Sequence, residues 1–343
     1  MKKILFIGGV NSGNSPKGGE EYKNQLLLRR LSKEYKLKLF DTYNWKKKPL
    51  LVVRLIIGVL FFSYDKIIIS ASAVSSYRLI KFMYYCTRKQ SSTIYFVIGG
   101  YFPKGILNRR FDFKYYKNLN NIILEGNSLR DMIKDRLGNT SVLPNFKDFD
   151  FNVERNISPK ESEFRFVFLS RITKSKGVDL IFSANKILRN IELKSNYQIH
   201  FYGDIDKGYF EEFKSELDGT MIYKGYLDII AQPKSSYKAL SNYDCMLFPT
   251  YWYGEGFPGV LIDAFISGLP VIATDWNMNS EIVSNEKTGL MINIHDEKAL
   301  ADSMIRIMED ESLLSKLSEN AKVRAKEYHI DHLWPNVKAL IEY

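Results

Sequence analysis

The chain has little cysteine. Its 343 residues include only Cys86 and Cys245, which lie far apart and outside any cluster with metal-ligand spacing. This argues against both a disulfide framework and a cysteine-based metal site, because each needs several cysteines at suitable spacing. We therefore expect a protein of a reducing compartment, the cytoplasm.

The sequence also lacks a long hydrophobic run. The most apolar stretch, 49–63 (PLLVVRLIIGVLFFS), has 15 residues and contains Arg54. A helix that crosses a bilayer needs about 20 apolar residues. The stretch therefore predicts a helix that is buried in the protein or lies at a membrane interface, and the sequence alone leaves both alternatives open.

Acidic residues are scarce in the first part of the chain. Residues 1–150 hold 27 Lys and Arg but 11 Asp and Glu, a balance of +16, while the remainder holds 22 and 28, a balance of −6. The basic part is either a solvated lysine-rich surface or a binding surface for an anionic partner, such as a phospholipid membrane or a lipid diphosphate. No helix-turn-helix, zinc-finger or aromatic RNA-binding pattern is present, so we expect no nucleic acid partner.

What the sequence does contain is a regular alternation of short apolar runs and helical stretches. Predicted strands such as 3–7, 66–70 and 93–98 alternate with predicted helices, and the pattern restarts at 164–170. This alternation is typical of parallel sheets with helical crossovers. The chain length also favours two domains, because single cores rarely grow beyond about 250–300 residues.

We therefore predict an α/β protein with two Rossmann-like, doubly wound domains. The first domain is expected at 1–150 and the second at 151–328, with a polar linker at 146–163. A C-terminal helix within 329–343 is expected to pack back on the first domain. Open α/β sheets bind ligands at the carboxyl ends of their strands, so functional residues are expected there.

The most informative segment is 248–274, FPTYWYGEGFPGVLIDAFISGLPVIAT. A predicted strand ends in it, a glycine-rich loop follows, and a helix begins. Glycines let a ligand approach the backbone closely, and a helix N-terminus offers N–H groups and a partial positive charge that suit a phosphate. Glu255 precedes the helix and Asp263 lies inside it, and two such carboxylates suit pairs of vicinal hydroxyls on one ligand.

This segment resembles the acidic signature of the retaining glycosyltransferases of family 4, which have the two-domain GT-B fold. That family has Glu, seven residues, then Glu, whereas this chain has Glu255, seven residues, then the shorter Asp263. The resemblance implies that Glu255 faces the donor sugar and that Asp263 binds the ribose hydroxyls. It also implies donor contacts from the intervening loop, at Gly256, Phe257, Pro258 and Gly259.

A second match lies at the first predicted strand of the second domain. The segment 166–179, FVFLSRITKSKGVD, resembles the family's strand–Arg–loop–Lys-Gly pattern. Arg171 offers a forked guanidinium and Lys176 a point charge, a combination that can clamp a diphosphate. Glu255, Arg171 and Lys176 are therefore the candidate catalytic residues.

Three weaker matches add candidate donor contacts. Gly225 and Tyr226 resemble the turn that packs the nucleobase, and Glu281 lies in the stretch that is expected to brace the site. Gly18 and Gly19 resemble the glycine loop of the first domain, which in the family faces the donor diphosphate and the acceptor.

Two features of the family are not carried over. Many relatives have a histidine in the first domain, but the histidines of this chain all lie in the second half, at His200, His295, His329 and His332. We expect structural roles for all four. Asp204 and Asp206 have the letters of an Asp-x-Asp metal motif but fall in a predicted turn, so we expect neither a metal nor a cofactor.

The resemblance implies sugar transfer, with retention at the anomeric carbon, from a nucleotide-diphosphate sugar of UDP type to a glycan or lipid-linked acceptor. Many relatives build cell-surface polysaccharides or glycolipids, and the basic first domain would suit peripheral attachment to the cytoplasmic face of a membrane. Two alternatives remain open on the sequence alone. One is another GT-B enzyme, such as a sugar-nucleotide epimerase or a phosphorylase, and the other is a non-catalytic sugar-nucleotide-binding scaffold subunit.

Overall fold

The computed structural model of the protein describes residues 1–16, 18–149, 163–193 and 195–342. Contacts divide the chain into two units, namely Met1–Asp148 with the segment from Ile330 onward, and Phe149–His329. The predicted linker, 146–163, falls mostly on residues 150–162, which lie outside the described ranges. Each unit contains one six-stranded sheet.

The strands of the first unit are all parallel. Their bounds are β1 Lys3–Gly8, β2 Lys36–Asp41, β3 Lys66–Ser72, β4 Thr93–Ile98, β5 Asn121–Leu124 and β6 Thr140–Val142. In space their order is β2-β1-β3-β4-β5-β6, so the direction of the strand order reverses between β1 and β3. The runs in β1, β3 and β4 are almost wholly buried, which is typical of parallel strands covered by helices on both faces.

The first unit contains six α-helices within the described ranges. Their bounds are α1 Gly19–Glu34, α2 Pro49–Phe61, α3 Ala73–Cys86, α4 Tyr101–Leu107, α5 Asn127–Asp131 and the C-terminal α13 Ile330–Glu342. None of the helices in the described part of the chain is both long and apolar enough to cross a membrane.

The second unit repeats the architecture with a different strand order. Its strands are β7 Phe164–Leu169, β8 Tyr197–Tyr202, β9 Met221–Tyr223, β10 Cys245–Phe248, β11 Val271–Thr274 and β12 Gly289–Ile292. They are arranged β12-β11-β10-β7-β8-β9, which is the order of a Rossmann sheet with its reversal between β7 and β10. The helices are α6 Val178–Leu188, α7 Phe210–Glu216, α8 Pro233–Leu240, α9 Gly259–Ile266, α10 Asn279–Ile282, α11 Glu297–Glu309 and α12 Glu311–Glu327. The predicted pair of doubly wound α/β sheets is confirmed.

The structure also contains elements that the sequence pattern does not predict. β12 begins with Gly289, where a Cβ would lie 2.0 Å from the carbonyl oxygen of Val271. The glycine therefore marks the close approach of two strands rather than a loop. α4 contains Pro103 in its first turn, a position where the missing N–H has no partner within the helix.

The C-terminal helix α13 belongs to the first unit and shares a hydrophobic cluster with α1. Trp334 and Ile341 of α13 are buried in the same cluster as Leu27 of α1. The indole N–H of Trp334 also donates a hydrogen bond to Glu34 at 2.7 Å. The helix begins at Ile330 and continues through Pro335 to Glu342.

Candidate functional site

The three predicted catalytic residues of the second unit lie where its strand order reverses. β7 and β10 are neighbours in the sheet although they are far apart in the chain, so the loops that leave their carboxyl ends diverge and form a crevice. Arg171 and Lys176 follow β7, and Glu255 follows β10. The structure thus brings together the three residues predicted as catalytic.

Lys176 and Glu255 form a buried ion pair. The Nζ of Lys176 lies 2.5 Å from Oε2 of Glu255, and the two residues are 8% and 6% exposed. The same carboxylate oxygen accepts a hydrogen bond from the hydroxyl of Thr250 at 3.1 Å. A charge this deeply buried is unfavourable without a partner, so the pair holds both side chains in place at the carboxyl end of the sheet.

The backbone joins the two loops that carry this pair. Gly177 has a φ of +81°, and a Cβ there would lie 2.1 Å from the carbonyl oxygen of Pro249. Only glycine permits both this conformation and this close approach. The N–H of Tyr251 also donates to the carbonyl oxygen of Ser175 at 3.0 Å. The loops after β7 and β10 are therefore assembled by contacts within the protein itself.

Arg171 and Lys176 share an aromatic neighbour. The guanidinium carbon of Arg171 lies 5.7 Å from the centre of the Trp252 ring, and Nζ of Lys176 lies 4.7 Å from it. All three residues line an open cavity of about 510 Å³. Among the residues that the structure describes, no carboxylate forms an ion pair with Arg171. An exposed cation beside open volume suits an anionic ligand.

Asp263 lies inside α9 and is oriented by a neighbouring helix. It is 5% exposed, and its Oδ1 accepts a hydrogen bond from the hydroxyl of the buried Tyr237 at 2.6 Å. Tyr237 belongs to α8, 26 positions earlier in the chain. The orientation of this carboxylate is therefore set by tertiary structure and not by its own helix alone.

The loop residues 256–259 lead into the N-terminus of α9. Pro258 is the N-cap residue and offers no side-chain hydrogen bond to the helix, so N–H groups in the first turn can serve a ligand. Phe257 is 8% exposed, and its ring packs 5.4 Å from that of Tyr328. Its side chain anchors the loop, and a donor contact from Phe257 would have to come from its backbone, as with Gly256 and Gly259.

The weaker candidates of the second unit lie farther along the sheet. Gly225 and Tyr226 follow β9, Gly225 with a φ of +83° and Tyr226 with 59% exposure. Glu281 lies in α10, and its carbonyl oxygen accepts a hydrogen bond from Arg324 at 2.9 Å. This bond ties α10 to α12 through the backbone of Glu281.

In the first unit, Gly18 and Gly19 begin α1. Gly18 is the N-cap residue and provides no side-chain cap, while Lys17 lies outside the described residues. The preceding loop is held by Asp41, whose carboxylate accepts hydrogen bonds from the N–H groups of Val10 at 2.9 Å and Ser12 at 2.7 Å. Burial opposes ionisation of Asp41, but these backbone donors outweigh it and hold its pKa below the usual value.

A second buried ion pair lies at the carboxyl end of the first sheet. Nζ of Lys23, on α1, lies 2.8 Å from Oε1 of Glu125, which follows β5, and both side chains are more than nine-tenths buried. Nearby in the first turn of α1, burial and the neighbouring Glu21 raise the pKa of Glu20 to about 7. The sequence contains no local pattern that singles out either feature.

Sequence reasoning also misses several side chains of the second-unit site. Thr250 and Trp252 lie inside the most informative segment, and an indole in a glycine-rich loop after a strand is a signal that could have identified Trp252. Tyr237 has no such signal, because its contact with Asp263 exists only in the folded structure.

The interpretations of His200 and Asp206 are confirmed. The ring nitrogens of His200 lie 2.9 Å from the Tyr243 hydroxyl and 2.7 Å from Gln198 Oε1, and burial lowers its pKa to about 4. This is a structural histidine. Asp206 accepts the N–H of Gly208 at 3.0 Å and caps a short turn.

A comparison with protein families matches residues 150–324 to the family described as "Glycosyl transferases group 1". The chain belongs to this family. The matched region contains Arg171, Lys176, Glu255 and Asp263, so the resemblance inferred from these residues is confirmed.

Individual relatives are more distant. An uncharacterized glycosyltransferase of Methanocaldococcus jannaschii is 27% identical over 270 residues, which cover 66% of this chain and 64% of that protein. A lipopolysaccharide core biosynthesis mannosyltransferase of Rhizobium meliloti is 35% identical over 139 residues, 38% of each protein. This chain therefore spans less than two thirds of the length of these relatives.

The fold is also that of solved structures. The HepE protein of Anabaena, crystallised in complex with UDP-glucose, matches with a TM-score of 0.73 at 16% identity over 100% of both chains. At this level of identity the likeness shows the fold alone. The predicted GT-B fold is confirmed.

Proposed function

We propose that the protein transfers a sugar from a nucleotide-diphosphate donor of UDP type to a glycan or lipid-linked acceptor, in cell-surface polysaccharide or glycolipid synthesis. The observation that carries the proposal is the Lys176–Glu255 pair beside Arg171 at the strand-order reversal of the second unit. Family membership supports the reaction type, and the lipopolysaccharide relative supports the acceptor class. The Anabaena complex makes UDP-glucose the first donor to test.

In this proposal the cations stabilise the leaving group. When the bond between the anomeric carbon and the diphosphate oxygen breaks, negative charge builds up on the diphosphate. Arg171, Lys176 and the N-terminal N–H groups of α9 are placed to oppose that charge. A lysine ammonium has three N–H donors, so Lys176 can keep its bond to Glu255 while it binds a phosphate oxygen.

The two carboxylates have separate roles. We assign Glu255 to the hydroxyls of the donor sugar, where it would position the anomeric carbon for attack. We assign Asp263 to the ribose hydroxyls, with Tyr237 fixing the orientation of the carboxylate. The turn at Gly225 and Tyr226 would pack the nucleobase, and Gly18 and Gly19 would face the diphosphate from the first unit.

We propose that the configuration at the anomeric carbon is retained, because the acceptor oxygen attacks this carbon from the same face from which the diphosphate departs. The acceptor oxygen forms the new bond to the anomeric carbon as the bond to the diphosphate breaks, and the acceptor proton passes to an oxygen of the departing phosphate. This route needs no carboxylate nucleophile, unlike double displacement. We also propose that it needs no metal ion, because basic side chains provide the countercharge.

The proposed membrane partner rests on α2. Residues at intervals of three and four along this helix form an exposed apolar stripe, with Leu50 77%, Val53 53%, Ile57 43% and Phe61 78% exposed. The stripe follows directly on Lys46-Lys47-Lys48. An apolar helix face next to a basic cluster is what a peripheral protein uses on an anionic lipid surface.

The test is turnover of UDP-glucose and related nucleotide sugars. Without acceptor and in excess chelator, we expect slow hydrolysis of the nucleotide sugar. NMR should show that the released sugar keeps the anomeric configuration of the donor. Nucleotide-sugar binding without any turnover would instead indicate a scaffold subunit. Activity lost in chelator and restored by manganese would contradict the proposed metal independence.

A further inference from the structure

The first unit contains an apolar cavity that none of the roles above uses. It measures about 340 Å³, and its walls come from β1, β2, β3, α2 and α3. The lining is hydrophobic except for hydroxyl groups and one charged side chain: Ile7, Phe40, Thr42, Trp45, Leu51, Val52, Leu55, Ile56, Ile69, Ala71, Ser75, Ser76, Arg78, Leu79 and Phe82.

The cavity lies at the strand-order reversal of the first sheet. Ile7 is near the carboxyl end of β1, and Ile69 and Ala71 are near that of β3. These strands are neighbours in the sheet but not successive in the chain. This is the point at which open α/β sheets of this strand order bind their ligands.

The cavity exists because α2 is packed tightly at only one end. Its buried residues are Gly58 and Val59, and a Cβ on Gly58 would lie 3.0 Å from the ring of Phe40. At this C-terminal end of α2, Nζ of Lys89 donates hydrogen bonds to the carbonyl oxygens of Val59 at 2.5 Å and Phe62 at 2.6 Å. The earlier turns carry Val52 and Leu55 on the face that lines the cavity. A concave, mostly apolar lining of this kind suits an apolar ligand.

Positive charge predominates around the cavity, although the acidic Asp41 lies between Phe40 and Thr42 of the lining. Arg78 is the charged residue of the lining. Residues 42–111, which include α2 and α3, contain 12 Lys and Arg but a single acidic residue, Asp65. An apolar interior with a cation at its wall, in a basic segment, is complementary to a hydrocarbon chain that ends in an anionic group.

We propose that this cavity binds the hydrocarbon chain of a lipid-linked acceptor that carries a phosphate or diphosphate, with Arg78 contacting the anionic group. This inference rests on the proposed function and narrows its acceptor to a phosphorylated lipid. α2 then has two faces with different tasks, since its inner face covers the chain while its outer stripe faces solvent or a membrane.

The test uses butyl, octyl and dodecyl phosphate below their micelle concentrations. Binding is measured by calorimetry and by the fluorescence of Trp45, which lines the cavity, with Trp45→Phe identifying its signal. We expect affinity to rise about threefold to fourfold for each added methylene.

Val52→Phe fills the cavity and should remove this dependence on chain length. The matched control is Val53→Phe, the same change at the adjacent exposed position, which should keep it.

Arg78→Gln should weaken binding of dodecyl phosphate but not that of dodecanol. Leu55→Trp is a second filling variant in case Val52→Phe does not fold, which thermal unfolding will show. Affinity that is independent of chain length, or equal loss in Val52→Phe and Val53→Phe, would overturn the proposal. It would also be overturned if the phosphates bind only above their micelle concentrations.

UDP binding, measured on the same variants, separates this inference from the proposed function. If chain-length dependence is absent while UDP-glucose is turned over, the cavity assignment fails alone. If the phosphates bind as expected but no nucleotide sugar is bound or turned over, the proposed transferase function fails and the lipid site remains.

Discussion

Nζ of Lys176 lies 2.5 Å from Oε2 of Glu255, a residue 79 positions further along the chain. Each charge is the counterion of the other at the end of the second sheet, and neither can be altered without affecting its partner. Substitutions that only remove one side chain therefore combine an effect on function with an effect on stability. The first prediction separates the two.

Lys176→Met is expected to destabilise the second unit by about 3–5 kcal/mol, because it leaves Glu255 buried without a countercharge. The double variant Lys176→Met/Glu255→Leu should recover a large part of that loss. Urea unfolding measures both. Lys174→Met is the matched control, since Lys174 pairs with Glu212 at the exposed surface and should unfold like the wild type. Equal effects at 174 and 176 would show that burial of the pair has no energetic consequence.

Arg171→Ala should lower turnover of the nucleotide sugar by roughly 10²–10³-fold, the loss seen when a donor to a developing oxyanion is removed. Stability should change little, because Arg171 is exposed and its neighbour is the ring of Trp252. Steady-state kinetics and thermal unfolding measure the two effects. Arg189→Ala removes an arginine that pairs with Asp218 in the same unit and should leave turnover unchanged. Wild-type rates in Arg171→Ala would remove the diphosphate assignment.

Asp263→Ala should weaken UDP and UDP-sugar alike, because the ribose is common to both. Glu255→Gln, which keeps a hydrogen-bonding side chain beside Lys176, should weaken the sugar-bearing donor more than UDP, because UDP lacks the sugar hydroxyls. Calorimetry of each variant with UDP and with UDP-sugar measures the two effects. Any effect of Glu255→Gln through Lys176 is common to both ligands, so the test is the additional loss for the UDP-sugar. If both variants weaken UDP and UDP-sugar to the same extent, the two carboxylates do not have separate roles.

Tyr237→Phe tests whether the Asp263 carboxylate must be oriented. Loss of the 2.6 Å hydrogen bond should weaken UDP by about fivefold to tenfold, which corresponds to about 1–1.5 kcal/mol. Tyr243→Phe makes the same chemical change at a hydroxyl that bonds His200 and should leave UDP affinity intact. A larger effect at 243 than at 237 would contradict the positioning role.

The pH dependence of stability should carry a contribution from Glu20. Its pKa is raised from 4.5 to about 7, so between these values the native state holds a proton that the unfolded chain has lost. The unfolding free energy therefore falls as pH rises through this window, by up to about 2 kcal/mol for a partly exposed group. His200, whose pKa is lowered from 6.5 to about 4, gives a slope of opposite sign. The difference in pH dependence between the wild type and Glu20→Gln gives the contribution of Glu20. Glu21→Gln should reduce that contribution only slightly, because Glu21 is the smaller cause of the raised pKa of Glu20. The measurement is thermal unfolding from pH 4 to pH 8. Parallel pH dependence of stability in the wild type and Glu20→Gln would contradict the raised pKa of Glu20.

Much of this architecture follows from the sequence because it depends on local patterns. Buried runs such as β1 identify parallel strands, and the spacing of Glu255 and Asp263 predicts a ligand loop between a strand and a helix. By contrast, β12 begins at Gly289, a residue whose role depends on the backbone of β11. The pairing of Tyr237 with Asp263 depends likewise on tertiary contacts, and no local pattern encodes them.

The cavity of the first unit is a further example. The stretch 49–63 predicts an apolar helix, and the structure shows this helix partly buried and partly exposed. Gly58 and Val59 are buried, while Leu50 and Phe61 are exposed. The sequence could not resolve this, because the helix is apolar on all sides and its periodicity does not mark an inner face.

α13 completes the hydrophobic cluster of the first unit with residues that follow the whole second unit in the chain. Trp334, Val337 and Ile341 pack with side chains of α1 and β1, so the whole second unit separates the two parts of one core in the chain. On the ribosome, the second unit can therefore fold while the first still lacks one of its helices. The first unit must keep apolar surface exposed, or covered by a chaperone, until α13 has been synthesised.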